Sequence, residues 1–243
     1  MRWKITLSYL GTNYAGWQRQ PGDLTLQQVV EEAFSTIIRQ PVEIVGCGRT
    51  DAGVHARKYV AHLDISGMEP TSKLIYQVNS ILPQDIALHS IEQAASEFHA
   101  RFDANERMYR YYLHFAKDPF LLNTSFYFQQ SKELQIDQLH ESAALLLQYD
   151  QFKPFCKTGS DADHYRCKIM ESSWNMNDGR GVYTIRANRF LRGMVRLITG
   201  ACLNVALGKI TMEEMKASLD LQTPIPQAWS VPAEGLFLEE VVY

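Results

Sequence analysis

Residues 42–65, VEIVGCGRTDAGVHARKYVAHLDI, decide how this chain folds. VEIVGCG, from Val42, reads as one strand, and Tyr59, Ala61, Leu63 and Ile65 alternate over a second at 59–65. Between them RTDAGVHAR has no hydrophobic period and reads as a turn. Two strands joined directly, each flanked outward by a helical pattern, form the middle of a split βαβ unit.

Working outward, Trp3, Ile5, Leu7 and Tyr9 alternate over a strand at 2–9, and GTNYAGWQRQP (11–21) is a loop unusually rich in aromatics. Thr25 and Gln28 have capping-box spacing. The helix behind them carries Leu26, Val29, Val30, Ala33, Phe34, Ile37 and Ile38 on one stripe, and Pro41 ends it. Pro70 and Thr71 open a second helix that runs to Ile81, and a strand at 86–92 completes the order β-α-β-β-α-β.

The second half repeats that order more loosely. A strand at 107–115 carries Tyr109, Tyr111, Leu113 and Phe115 on one side, and a helix spans 136–147. Strands at 167–176 and 181–188 flank the turn Asn177-Asp178-Gly179-Arg180. A helix at 190–205 follows, then one capped by Thr211 and Glu214, then a strand at 235–243. The expectation is an α+β protein of two ferredoxin-like, split βαβ halves, residues 1–100 and 101–243. Each half has an antiparallel sheet with helices on one face, leaving the other faces to line a cleft.

Composition fits this class. The 243 residues are 46% hydrophobic and 21% charged, which excludes a disordered chain, a collagen and a coiled coil. No run of about 18 apolar residues is present, so no membrane span is expected, and the polar-apolar alternation of MRWKITLSYL points to a cytoplasmic protein. Cys47, Cys156, Cys167 and Cys202 form no CxxC pair and read as reduced thiols. Net charge is −3, yet residues 180–212 hold five arginines and Lys209 without one acid, while 213–243 hold six acids and one lysine. Such segregation suits a local phosphate-attracting face.

Three segments carry candidate chemistry. In GCGRTDAGVHAR, glycines surround one carboxylate, Asp51, with Arg49 two residues away. A guanidinium at that range holds a carboxylate ionised, fit for nucleophilic or general-base work. The competing reading is a turn whose Asp bonds its own backbone. Cys47, Asp51, His55 and His62 match no compact metal spacing, so no metal is expected, and His62 reads as a packed strand residue. In ARFDANERMYRYYL, Arg101, Arg107 and Arg110 interleave with Tyr109, Tyr111 and Tyr112. Guanidinium suits phosphate and aromatic faces suit bases, although tyrosine also simply favours strands. In NRFLRGMVRLITG, Arg189, Arg192 and Arg196 share one side of the expected helix, with Phe190, Met194, Leu197 and Ile198 inward. No Walker loop, dinucleotide fingerprint or nucleophile elbow is present, so no cofactor is expected.

Taken in order, LSYLGTNYAGWQRQ, GCGRTDAGVHA, FHARFDANERMYRYYL, NRFLRGMVRLITG and AEGLFLEEVVY resemble the motifs of the tRNA pseudouridine synthase A family, over nearly the whole chain. The resemblance implies an isomerase that converts uridine to pseudouridine at positions 38, 39 and 40 of the tRNA anticodon arm. It implies a homodimer working without metal or cofactor. Asp51 would be the catalytic carboxylate, Tyr109 would stack on the target base, Arg49 would pair with Asp51, and Arg196 would lie near the site. Arg101, Arg107, Arg110, Arg189 and Arg192 would hold RNA. A non-catalytic RNA-binding protein on the same scaffold is the alternative. The sequence departs from the family at Tyr59, where a glutamine is usual, at VAHL in place of VAHF, and over FKPFCKTGSDADHYRC, which bears on substrate breadth.

Overall fold

The computed structural model describes residues 1–66, 72–159, 163–177 and 179–243. Its helices and strands form two compact units, Met1–Asn105 with Phe237–Tyr243, and Glu106–Leu236. The α+β class is borne out, with no closed barrel among the described strands.

In the first unit, β1 (Arg2–Tyr9) buries Trp3, Ile5, Leu7 and Tyr9, the alternation the sequence shows. It pairs antiparallel with β3 (His55–Asp64) on one side and β4 (Ile86–Gln93) on the other, and β2 (Ile44–Gly46) pairs with β3. The order β4-β1-β3-β2 is that of a split βαβ sheet. β2 is three residues long, shorter than the expected strand, because the chain turns away into a loop from Cys47 onward. β3 begins at His55 rather than 59, immediately after that loop.

Helix α1 (Leu26–Ile38) buries Leu26, Val30, Ala33 and Phe34, while Val29, Ile37 and Ile38 of the expected stripe stay half-buried. Its orphan N-terminal donors are satisfied from outside the helix: Leu26 and Gln27 donate to the carbonyls of Gly16 and Trp17, and Gln28 donates to Thr25 Oγ1. The capping box is half made, since the Gln28 side chain bonds Glu32 instead of returning to Thr25. α2 (Ser72–Ile81) packs on α1 and β4. Its expected start at Pro70 and Thr71 lies outside the described residues.

The closing strand, β9 (Leu236–Val242), departs from the expected division. It pairs parallel with β3, His55 opposite Phe237 and Ala56 opposite Leu238, so the first unit's sheet is not purely antiparallel. Arg57 pairs with Glu239, Asn105 donates to Val242, and the Tyr243 hydroxyl donates to the Ala100 carbonyl. These bonds attach the last seven residues to the first unit.

The second unit is built on β5 (Glu106–His114), β8 (Arg180–Ala187) and β7 (Ile169–Asn177), antiparallel in that order, with the two-residue β6 (Phe126–Tyr127) parallel to β5. The expected turn between β7 and β8 includes Asp178, outside the described residues. α3 (Ile136–Leu145) packs on α4 (Met194–Ala206) and on β7. α5 (Met212–Leu221) has a complete capping box of Thr211 and Glu214. Tyr111 and Tyr183, cross-strand partners, are fully buried in this core.

Candidate active site and nucleic-acid interface

Asp51 sits half-buried in the loop between β2 and β3, and four of its neighbours in that loop, Cys47, Gly48, Thr50 and Val54, are held by hydrogen bonds. Cys47 N–H donates to the Val60 carbonyl at 2.9 Å, and the Tyr59 hydroxyl donates to the Gly48 carbonyl. Thr50 is held twice: its Oγ1 lies 2.9 Å from the Tyr9 hydroxyl, and its carbonyl accepts from Trp17 N–H at 3.1 Å. The Asp51 carbonyl accepts from Val54 N–H at 3.1 Å, closing the turn. The bond that closes this turn is made by the Asp51 backbone carbonyl.

Beneath the loop lies an aromatic cluster. Trp17 stacks on Tyr59 with ring centroids 4.0 Å apart, and Tyr9 contacts both at 6.2 and 5.5 Å. A Cβ at Gly46 would run into the Tyr59 hydroxyl and meet Trp17 Nε1 at 2.7 Å, so the rings approach the chain where only glycine fits. Tyr59 is fully buried and supports the loop from below. Glu31, buried on α1, accepts from Ile44 N–H and the Gln27 amide and pairs with Arg19, which fixes β2 ahead of the loop.

The two histidines of this region are structural. His55 is buried and its Nδ1 accepts from Gly11 N–H at 2.9 Å, which leaves the ring proton on Nε2, and the ring packs on Phe237. His62 Nδ1 accepts from Ala100 N–H, and burial pushes its pKa down to about 4, with Arg2 and His99 adding to the shift and Asp64 and Asp103 opposing it. Among the described residues no His, Cys, Asp and Glu cluster could hold a metal. Cys47, Cys167 and Cys202 are buried, and Cys156 is half-exposed.

The remaining candidates divide between the units. Arg49 is exposed on the Asp51 loop. Arg101 is exposed on the turn before β5, its guanidinium 5.5 Å over the Phe102 ring. Tyr109, on β5 of the second unit, is half-buried with its ring edge-on to Phe190 at 5.2 Å. Tyr111 is core, its hydroxyl donating to the Pro232 carbonyl, so it is unavailable for stacking on RNA. Arg107 donates to the Asn188 carbonyl. Arg110 is one residue from Tyr109 on a strand, and so projects from the opposite sheet face.

The arginine row is not a helical face. α4 starts at Met194, behind Gly193 in the left-handed conformation at φ 70°. Arg189 and Arg192 precede it, the first in irregular chain and the second in a turn, and both are tied elsewhere: Asn188 N–H donates to the Lys168 carbonyl, and Lys157 N–H donates to the Arg192 carbonyl. Arg189 reaches the His164 ring, Arg192 the Gly159 carbonyl, and Arg196, within α4, donates from Nε to the Val231 carbonyl at 2.6 Å. Met194 and Ile198 are buried as expected, whereas Phe190 and Leu197 are half-exposed. Sequence reasoning did not find the supports of the Asp51 loop: the aromatic run at 11–21 was a signal for Trp17, but Tyr9 and Thr50 had none.

The sequence profile of the family described as tRNA pseudouridine synthase matches residues 5–103 and 146–243. The chain is 42% identical to the tRNA pseudouridine synthase A of Porphyromonas gingivalis, covering 100% of this chain and 97% of the relative. It is 40% identical to that of Parabacteroides distasonis, over 100% and 96%, and 32% to that of Clostridium acetobutylicum, over 99% and 98%.

Proposed function

This chain belongs to the tRNA pseudouridine synthase family and is an isomerase of that kind, and we propose that it acts on uridines 38, 39 and 40 of the tRNA anticodon arm with Asp51 as the catalytic carboxylate. The reading is carried by the Asp51 loop, a half-buried carboxylate on a backbone held at Cys47, Gly48, Thr50 and Val54. It is taken to work as a homodimer in the cytoplasm without metal or cofactor, as the family resemblance implies.

The reaction breaks the N1–C1′ bond of uridine, forms a C5–C1′ bond, releases the C5 hydrogen as a proton and leaves N1 protonated. Nothing is oxidised, reduced or hydrolysed. A carboxylate serves this by attacking C1′, by adding to C6, or by assisting proton loss at C2′. Each route needs the base outside its helical stack, at a cost of a few kcal/mol. Stacking on Tyr109 returns about 1–3 kcal/mol of that. In this reading Phe190, edge-on to Tyr109, fixes the ring that receives the base. Arg49 pairs with Asp51, Arg196 lies near the reacting nucleotide, and Arg101, Arg107, Arg110, Arg189 and Arg192 take phosphates.

The test is tritium release from tRNA carrying [5-³H]uridine, with EDTA present, by wild type and Asp51→Ala. Release by wild type alone supports the reading. Binding without release favours a non-catalytic RNA-binding protein, and release by both removes Asp51 from the mechanism.

A further inference from the structure

The turn between β4 and β5 presents an aromatic side chain to solvent that the fold does not use. Phe102 is 73% exposed, where a phenylalanine is ordinarily buried. Its ring lies 4.3 Å from that of His99, tilted by 32°, and the Arg101 guanidinium lies 5.5 Å over it.

The turn beneath is rigidly built. His99 Nδ1 accepts from both Arg101 N–H and Phe102 N–H, at 3.2 and 3.3 Å. Asp103 closes the other side, its carboxylate accepting from His99 N–H at 2.9 Å and its own N–H donating to the His99 carbonyl at 3.0 Å. The His99 ring in turn meets buried His62 at 5.0 Å. An exposed ring on a flexible loop would lose much of its stacking energy to ordering, and this one is ordered in advance. Buried apolar packing is not what orders it, because most of its surface faces water.

We propose that Phe102, backed by His99 and flanked by Arg101, is a stacking platform for an unpaired nucleobase of the bound RNA, separate from the nucleotide that reacts. The proposal rests on the reading of this chain as a tRNA enzyme. A preformed exposed aromatic beside a guanidinium is what base stacking and phosphate pairing jointly require. Its place makes it a second contact. His99 packs beside His62, seven residues along β3 from His55 where the Asp51 loop ends, roughly 23 Å of strand. One RNA segment therefore meets the first unit at two points, which fixes its orientation as well as its affinity.

The experiment measures Kd for an unmodified tRNA transcript, and KM by tritium release, with wild type, Phe102→Ala, Phe102→Leu and Phe102→Tyr. The expected result is binding weaker by about 5- to 100-fold for both Ala and Leu, with Tyr within about twofold of wild type, since only an aromatic face stacks. The loss falls on Kd and KM together, and the slope of log K against log salt stays that of wild type, because stacking displaces no counterions. Arg101→Gln, by contrast, lowers that slope. Thermal unfolding of each variant checks that the turn still folds, and Leu retains the apolar bulk if Ala does not. Wild-type affinity in Phe102→Ala, or equal losses in Leu and Tyr, overturns the platform while leaving the synthase reading intact. Wild-type binding without pseudouridine formation overturns the synthase reading while the Kd series still reports on the platform.

Discussion

The Tyr9 hydroxyl and Thr50 Oγ1 lie 2.9 Å apart in the buried interior, joining the last residue of β1 to the residue before Asp51. Strand position is thereby transmitted to the candidate catalytic loop through one bond. Thr50→Val keeps the side chain's shape and deletes its hydroxyl. The expected outcome is a loss of about 1–2 kcal/mol in urea unfolding, with turnover falling more than tRNA binding as Asp51 loses its fixed approach. Unchanged turnover would show that the loop is held well enough by Trp17 and Tyr59 alone.

Gly46→Ala tests the aromatic cluster. A methyl there meets the Tyr59 hydroxyl and Trp17 Nε1 well inside contact distance, so either the rings or β2 must shift. The expected cost is about 1–3 kcal/mol, with an altered near-ultraviolet circular dichroism signal from the displaced rings. An unperturbed spectrum with wild-type stability would mean that the cluster has slack the packing does not suggest.

His62 makes the first unit acid-sensitive. Its folded pKa is about 4 and its unfolded value about 6.5, so between those values the unfolded chain binds the extra proton. Its contribution to stability is complete above about pH 6.5 and is lost as pH falls toward 4, by roughly 2–3 kcal/mol. His62→Gln keeps an acceptor for Ala100 N–H and removes the titration. Urea unfolding from pH 7 to 4 should show a shallower loss for the variant, and parallel curves would place the acid sensitivity elsewhere.

Arg189→Glu combined with Arg192→Glu tests the segment that leads into α4. If both meet phosphate, tRNA binding weakens, and the slope of log K against log salt falls by roughly 0.7–0.9 for each phosphate left unneutralised. A slope equal to wild type would place that segment away from RNA.

The sequence by itself determined the strand and helix order and the catalytic candidate. Alternation at Trp3, Ile5, Leu7 and Tyr9 and the burial of Leu26, Val30, Ala33 and Phe34 are local consequences of burying one side of a periodic element. The Asp51 loop stood out for the opposite reason, glycines and charge where no period exists. Tertiary structure decided what depends on partners distant in sequence. Arg189, Arg192 and Arg196 have helical spacing, but backbone bonds with Lys157 and Lys168 hold the segment of the first two out of the helix. β9 follows the second half in sequence and joins β3 of the first, because its unpaired backbone groups and Phe237 find partners there. Tyr59 and Tyr111 carried the pattern of RNA-facing or variable positions, and both proved to be fully buried. A side chain's identity fixes what bonds it can make, and only the fold supplies the atoms that complete them.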